Sequence, residues 1–394
     1  MSPGFSRRTG WDRSPTPLAR ALAARRDAGL PVLDLTASNP TRAGLDFPPG
    51  LLADLGDAGG LVHEPEPLGR LEAREAVAAD YARRGVETQP GRIVLTASTS
   101  EAYAWLLKLL CDPGDRILVP RPSYPLFDYL AELEAVEVGS YPLFFDGLWH
   151  VDPEAVAAAL TPRTRAVFVV SPNNPTGSWL SRAAARALRK LCAERGLALV
   201  SDEVFADFPL RPRDDRQPTL ADDGPGLSFG RGGVSKSCGL PPLKLAGIAV
   251  AGPEAPRREA LARLELIADS YLSVSTPVQR AAPGLLARKD AIAGPIRVRL
   301  AESLDTLEAA LARPGCPVSL LEVEGGWSAV LRVPVTHPDE EVVRGLLERR
   351  GVLLHPGSLY GFAPQGYLVA SLLSTADELR LGMGRLLEDL GGVL

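Results

Sequence analysis

Short apolar runs alternate with amphipathic stretches through the middle of the chain. From residue 92 onward the apolar runs end in small or polar residues, and the stretches between them place apolar residues at helical spacing. The runs are RIVLTA, RILVP, VEVGSYPL, RAVFVV and LALVS. Strands that alternate with helices form a mostly parallel sheet that helices cover on both faces. The pattern therefore predicts an α/β fold for this part of the chain.

The pattern differs on either side of this central part. Before it, we predict a helix in LARALAARRDAG, a brief strand in PVLDL, a helix over LLADLGDA that begins at Pro48-Pro49, and an amphipathic helix over LGRLEAREAVAADYARRG. Beyond residue 253 we predict a long helix, a helical region from about Pro277 to Leu311, two strands joined around Gly325-Gly326, a further helix, strands in GVLLHPG and YLVASLL, and a final helix. Paired strands with helices packed on one side are typical of a smaller α+β domain.

The length of the chain, 394 residues, favours more than one core. We predict that residues 1–48 form an N-terminal arm and part of a small domain. Residues 49–275 are predicted to form a large domain around the parallel sheet, and residues 276–394 the rest of the small domain.

The amino-acid composition argues against several classes of protein and of binding site. Apolar residues make up 45% of the chain, charged residues 23%, and the formal net charge is −5. These values are ordinary for a soluble globular protein and give no basic footprint for nucleic acid or an anionic membrane. The four cysteines are far apart and there are only four histidines, so neither a disulfide framework nor a metal site is predicted. The N-terminal residues lack the apolar segment of a secretory signal, so we expect a cytoplasmic protein.

Polar residues follow the predicted strands at the points where the strands end. Ser98, Thr99 and Ser100 follow the first strand at the start of a helix, and Tyr124 follows the second. The later strands are followed by the segment SPNNPTG, which contains Asn174, and by Asp202; Lys236 comes last in the series. Each feature alone has a simpler explanation: a helix cap, a turn, a strand-end acid or a surface lysine. Ligands of open α/β sheets bind at the carboxyl ends of the strands, so together these residues predict one ligand site.

Pyridoxal phosphate fits this set of residues. Its phosphate needs amides and hydroxyls at a helix N-terminus, which Ser98, Thr99 and Ser100 could supply. Its ring needs a stacking partner, for which Tyr124 is placed, and its phenolic oxygen needs a donor such as the Asn174 amide. Its ring nitrogen needs a carboxylate, for which Asp202 is the candidate. Its aldehyde needs an amine, and Lys236 is a candidate because lysine forms Schiff bases.

The chain resembles the fold-type I pyridoxal-phosphate enzymes, specifically the class I/II aminotransferases. The matching segments are DLTASNPTR, TASTSEAY, PRPSYPLF, SPNNPTG, SDEVFADF and VSKSCGLPPLKLAG, which lie between about residues 32 and 250, followed by HPGSLYGF and GYLVASLLS. The resemblance implies an aspartate-aminotransferase-like fold and a homodimer whose active site lies between the subunits. It implies an aminotransferase that acts on an amino acid and a 2-oxo acid through a Schiff base at Lys236, with Asp202 and Tyr124 also in the catalytic site.

Several residues depart from the family pattern. Lys244 stands where an arginine usually contacts the phosphate, and Phe205 stands where a tyrosine often contacts the phenolic oxygen. His63 replaces the tyrosine that the partner subunit usually lends to the phosphate. Val369 replaces the arginine that usually binds the substrate α-carboxylate, and Arg42 is a candidate substitute for that arginine.

The resemblance also implies a wider set of contacts. Ser235 joins the cofactor-binding residues, and the predicted substrate-binding residues are Ser38, Asn39, Arg42, Asn174, Trp327 and Tyr360. Trp11 and Phe144 are further aromatic candidates for the substrate pocket.

Two other functions stay open at this point. A specialised pyridoxal-phosphate enzyme of the same fold could catalyse β- or γ-elimination, replacement or cyclisation on an amino acid. A cofactor-binding protein without catalytic activity is the second alternative.

Overall fold

The structure, a computed structural model, describes residues 4–391. Its helices are α1 (Pro17–Asp27), α2 (Leu71–Arg83), α3 (Thr99–Leu110), α4 (Leu126–Leu133), α5 (Pro153–Ala159), α6 (Arg182–Arg195), α7 (Val234–Ser237), α8 (Glu254–Asp269), α9 (Thr276–Ala287), α10 (Lys289–Leu311), α11 (Asp339–Arg350) and α12 (Ala376–Gly391). Its strands are β1 (Leu33–Asp34), β2 (Ile93–Thr96), β3 (Arg116–Arg121), β4 (Glu137–Phe145), β5 (Trp149–Val151), β6 (Thr164–Val170), β7 (Ala198–Asp202), β8 (Ser228–Gly233), β9 (Ala246–Ala251), β10 (Ser319–Leu320), β11 (Ser328–Arg332), β12 (Val352–Leu353), β13 (His355–Pro356) and β14 (Tyr367–Ser371).

Eight strands form the main sheet, in the order β2-β9-β8-β7-β6-β3-β4-β5. The five strands from β8 to β4 run parallel to one another, whereas β9 is antiparallel to both β2 and β8. The predicted α/β fold with a mostly parallel sheet is therefore confirmed. Because parallel strands point the same way, the residues that follow β3, β6, β7 and β8 emerge at one edge of the sheet.

The main sheet is buried on both faces. Along β6, Ala166, Phe168 and Val170 belong to an apolar cluster with residues of α3, α4 and α8, whereas Val167 and Val169 belong to a cluster with residues of α5 and α6. Successive side chains of a strand point to opposite faces, so a strand covered on both sides must be apolar throughout. This explains why the central strands appear in the sequence as continuous apolar runs.

A second, antiparallel sheet is built from the C-terminal third, with the strand order β10-β11-β14-β13. Its apolar side chains share a core with those of α10, α11 and α12. The short strand β1 pairs in parallel with β12, where Leu33 lies opposite Val352 and Asp34 opposite Leu353. The N-terminal segment is therefore attached to the C-terminal third of the chain.

The structure corrects three details of the predicted elements. The helix predicted over LLADLGDA is wrong, since only 3-10 turns form there, at Ala53–Gly56 and Ala58–Leu61. The glycines in and around this segment make a continuous helix unfavourable. The helical region after Pro277 is two helices that meet at Arg288, and the strands β5, β8 and β9 were not predicted. Among the described residues, no helix is both long enough and apolar enough to cross a membrane.

The loop after β6 depends on a glycine that packs against the second sheet region. Gly177 has a φ of +71°, and a Cβ there would lie 2.6 Å from the carbonyl oxygen of Gly325 and 2.7 Å from a methyl group of Val323. Gly196 has a similar φ of +64°, but no atom lies within 4 Å of its added Cβ.

We expect Gly177→Ala to lower the free energy of unfolding more than Gly196→Ala does. Both variants place a Cβ on a left-handed backbone, which destabilises each of them. In Gly177→Ala the new Cβ also overlaps neighbouring atoms, and this overlap lowers the free energy of unfolding by a further amount of about 1 kcal/mol or more. Urea unfolding of the two variants beside the wild type measures the difference. Equal losses would contradict the close packing of this loop.

Candidate active site

A cavity of about 330 Å³ lies at the edge of the main sheet where the parallel strands end. The second sheet and the segment after β1 close it from the opposite side. Its polar and aromatic lining includes Thr36, Ser38, Thr99, Ser100, Tyr103, Tyr124, Asn174, Asp202, Phe205, Arg231, Ser235, Lys236, Trp327, Ser328, His355, Tyr360 and Ser371. Most of the residues predicted from the strand ends therefore share one cavity.

Lys236 lies in the short helix α7, which begins directly after β8. Its Nζ lies 3.4 Å from the carbonyl oxygen of Ser38, 4.7 Å from the centroid of the Trp327 ring and 5.6 Å from that of Phe205. Burial lowers the pKa of Lys236 to about 8, although the negative charge of Asp202 opposes the shift. About a tenth of this amine is therefore neutral, and nucleophilic, at pH 7, far more than for an ordinary lysine.

Asp202 is the last residue of β7 and is buried. Its Oδ1 accepts a hydrogen bond from the backbone N–H of Val204 at 3.2 Å. Its Oδ2 accepts from the Tyr103 hydroxyl at 3.1 Å and from the Arg231 guanidinium at 2.5 Å. Tyr103 and Arg231 were not among the residues predicted from the sequence. The charged Arg231 in the otherwise small and apolar segment SFGRGG was the available signal.

The start of α3 forms one end of the cavity. Ser98 caps this helix, because its hydroxyl accepts from the backbone N–H of Glu101 at 3.0 Å. Thr99 and Ser100 line the cavity in the first turn, where backbone N–H groups have no acceptor within the helix. An anion at this end would meet such donors and the positive end of the helix dipole.

The aromatic side chain of Tyr124 forms another wall and is 40% exposed. Its partial burial raises the pKa of its hydroxyl, and the nearby Asp202 raises it further. The phenol is therefore neutral near neutral pH and offers a ring face to a planar ligand.

The two asparagines in the loop after β6 have different surroundings. Asn173 is buried and donates to the carbonyl oxygen of Pro122 at 3.0 Å, while its Oδ1 accepts from the Ser123 hydroxyl at 2.9 Å. Asn174 lines the cavity, and its Oδ1 accepts from the Ser328 hydroxyl at 3.4 Å. Asn173 therefore fixes the loop, and Asn174 presents its amide to the cavity.

The wall opposite the main sheet carries Val369 and a histidine. Val369 on β14 lies directly opposite His355 on β13, and both line the cavity. Burial lowers the pKa of His355, although Asp34 opposes this shift. His355 is therefore mostly neutral near neutral pH. His355 was not among the residues predicted from the sequence.

Apart from Ser98, which caps α3 and does not line the cavity itself, four of the predicted cofactor or substrate residues lie outside the cavity. Asn39 and Arg42 are exposed on a 3-10 turn, and the Asn39 side chain accepts from the backbone N–H of Thr41. Lys244 is exposed at the end of another 3-10 turn, in a left-handed conformation. His63 is exposed in a segment that borders α9.

Two aromatic candidates for the substrate pocket also lie elsewhere. Trp11 packs against Tyr129, and Phe144 is an exposed residue of β4. Neither lines the cavity, whereas Trp327 and Tyr360 do.

The chemistry of the cavity fits pyridoxal phosphate. An amine with a lowered pKa, a buried carboxylate, donors at a helix start and an aromatic ring lie in one cavity, at Lys236, Asp202, Thr99 and Tyr124. They match the aldehyde, the ring nitrogen, the phosphate and the ring face of that cofactor.

Known proteins are similar to this chain along most of its length. A family model described as aminotransferase class I and II matches residues 32–384. Glutamate-pyruvate aminotransferase AlaA of Escherichia coli strain K12 is 25% identical over 389 residues, covering 95% of this chain and 94% of that protein. Aspartate/prephenate aminotransferase of Thermus thermophilus is 28% identical over 390 residues, covering 95% and 94%. The solved structure of alanine aminotransferase from Pyrococcus furiosus has a TM-score of 0.89 at 24% identity, covering 99% of this chain and 100% of that one.

We expect an amine-selective reagent to modify Lys236 of the cofactor-free protein with a midpoint near pH 8. Burial disfavours the charged amine, so deprotonation occurs at lower pH than for an ordinary lysine. Peptide mass spectrometry across a pH series measures the modified fraction. In Asp202→Asn the midpoint should move to lower pH, because the carboxylate that favours the charged amine is gone. A wild-type midpoint above about 10 would contradict the desolvated amine.

Proposed function

Because the chain belongs to the class I and II aminotransferases, a family of pyridoxal-phosphate-dependent enzymes, we propose that Lys236 is the residue that binds the cofactor and moves the substrate's proton. The activity is therefore transfer of an amino group between an amino acid and a 2-oxo acid. The observation that carries the assignment of Lys236 is the lowered pKa of its amine inside the cavity that also holds Asp202. Neither elimination chemistry nor binding without catalysis is favoured by a contact in this cavity.

The other cavity residues have complementary roles toward the cofactor. Thr99 and Ser100 at the start of α3 would hold its phosphate, with Ser98 acting through the helix cap. Asp202 would hold its ring nitrogen, Asn174 its phenolic oxygen, and Tyr124 its ring face. Phe205 and Ser235 would complete the cofactor pocket around Lys236.

When bound, the cofactor supplies an electron-withdrawing ring that stabilises negative charge at the substrate α-carbon. The protein supplies the proton transfer, since the free amine of Lys236, with a pKa of about 8, can accept a proton from that carbon near neutral pH. The rings of Trp327 and Phe205 lie beside the amine and would shield one side of it from water.

We infer that His355 takes part in binding the substrate carboxylate. It is opposite Val369 on the same wall, and Ser328 and Ser371 line the cavity nearby. Because its imidazole is mostly neutral when the site is empty, a bound carboxylate would favour uptake of a proton by His355.

We also infer a homodimer in which His63 serves the active site of the other subunit. The side chain is exposed and lies outside the cavity of its own chain, and Lys244 does not reach that cavity either. Sedimentation of the purified protein tests the assembly, since a monomer that keeps full activity would contradict it.

We expect Lys236→Ala to abolish transamination, by about a thousandfold or more, because no other amine in the cavity can replace the base. Turnover of a panel of amino acids with 2-oxo acids measures the loss. Borohydride reduction of the wild-type holoenzyme should leave a pyridoxyl mass on the peptide that contains residue 236. Lys190→Ala is the control, since Lys190 is exposed on α6 and should leave the rate unchanged. A pyridoxyl mass on a different lysine would refute the assignment.

We expect His355→Phe to raise the KM for an amino acid about tenfold, with a smaller change in kcat, because a hydrogen bond to a charged group is lost. The KM of the corresponding amine without a carboxylate should not change. In the wild type, the KM for the amino acid should rise with pH as the bound His355 loses its proton. His337→Phe is the matched control, because His337 is exposed outside the cavity. Equal effects on the amino acid and the amine would count against carboxylate binding.

A further inference from the structure

Arg231 is a fully buried arginine at the floor of the active-site cavity. Its exposed fraction is 0%, and its side chain lines the same cavity as Lys236. Burial of a cation is costly unless an anion and hydrogen-bond acceptors compensate it. The contacts of this side chain therefore indicate what it does.

The guanidinium of Arg231 contacts three cavity residues, which belong to β7 and α3. Arg231 and Asp202 are direct partners in the pairing of β8 with β7, and the guanidinium donates to Asp202 Oδ2 at 2.5 Å. It also donates to the carbonyl oxygen of Thr99 at 2.6 Å, in the first turn of α3. The guanidinium carbon, Cζ, lies 3.2 Å from the centroid of the Tyr103 ring. One side chain therefore connects the acid at the end of β7 to the start of α3.

The ion pair changes the charge balance at Asp202. The other groups that face this carboxylate are Tyr103, whose pKa is raised by burial so that it stays neutral, and Lys236 and Tyr124 further along the cavity. Glu203, next in sequence, pairs instead with Arg84. Asp202 and Arg231 together are neutral, so a protonated ring nitrogen beside them would add a positive charge without a further carboxylate to balance it.

We propose that Arg231 is a positioning residue that shares the Asp202 carboxylate with the cofactor's ring nitrogen and thereby lowers the affinity of that nitrogen for a proton. The proposal rests on the proposed function, since it requires that Asp202 faces the ring nitrogen. It means that this enzyme has a weaker electron sink than it would have with Asp202 alone. It also means that one side chain, Arg231, influences both the protonation of the ring nitrogen and the position of the first turn of α3.

Cofactor affinity separates this role from a merely structural one. We compare dissociation constants of the cofactor-free protein for pyridoxal phosphate and for its analogue with a carbon–hydrogen group in place of the ring nitrogen. In Arg231→Met, the preference for pyridoxal phosphate over the analogue should increase about tenfold, because a charge in contact shifts a proton affinity by one unit or more. Arg231→Lys keeps the charge and should keep the wild-type preference. Tyr103→Phe removes only the other hydrogen bond to Oδ2 and should change the preference much less.

Equal changes in the two dissociation constants in Arg231→Met would overturn the proposal, because packing and phosphate contacts affect both ligands alike.

A second measurement needs no variant. In the wild-type holoenzyme with a ¹⁵N-labelled ring nitrogen, the ¹⁵N chemical shift should show loss of the ring proton near neutral pH. A ring nitrogen that stays protonated in strongly alkaline buffer would also overturn it. Failure of the proposed function would differ from both results, since no pyridoxyl mass would then be found at residue 236.

Discussion

The parallel alignment of neighbouring strands is the constraint on which the site depends. The strands β3, β6, β7 and β8 all point to one edge of the main sheet, so residues far apart in sequence meet there. Close packing on both faces fixes the register, because a shift by one residue would place side chains of a different size against each neighbouring helix. Asp202 and Arg231 are partners only because β7 and β8 are held in that register. The arrangement of the cavity residues therefore depends on the packing of apolar side chains on both faces of the main sheet, away from the cavity.

Much of the fold and the centre of the site could be predicted from the sequence. The continuous apolar runs predicted the parallel sheet, and the residues that follow them predicted Lys236, Asp202, Tyr124 and Asn174 as neighbours in a cavity. The helix over LLADLGDA was wrong because its glycines outweigh the apolar spacing that suggested it. Local patterns of this kind predict elements well when every residue favours the same structure.

The sequence could not predict contacts that depend on tertiary structure. Arg231 acts on Asp202 only through strand pairing, and His355 faces the cavity only because β13 pairs with β14 beside Val369. Arg42 is close in sequence to residues that line the cavity, yet its turn directs it to solvent. Lys244 follows Lys236 by eight residues but is turned away by a left-handed backbone. In each case the direction of a side chain, rather than its type, decides whether it belongs to the site.

The pairing of β1 with β12 has a consequence for biosynthesis. The backbone N–H of Leu35 donates to the carbonyl oxygen of Leu353, and the carbonyl oxygen of Leu35 accepts from the N–H of Ser371, so the segment that carries Thr36 and Ser38 is held by residues that are synthesised much later than itself. Until the ribosome has released that part of the chain, the wall beside Lys236 is missing. The nascent polypeptide therefore completes this cavity only after Ser371 has left the ribosome, whichever part of the main sheet folds first.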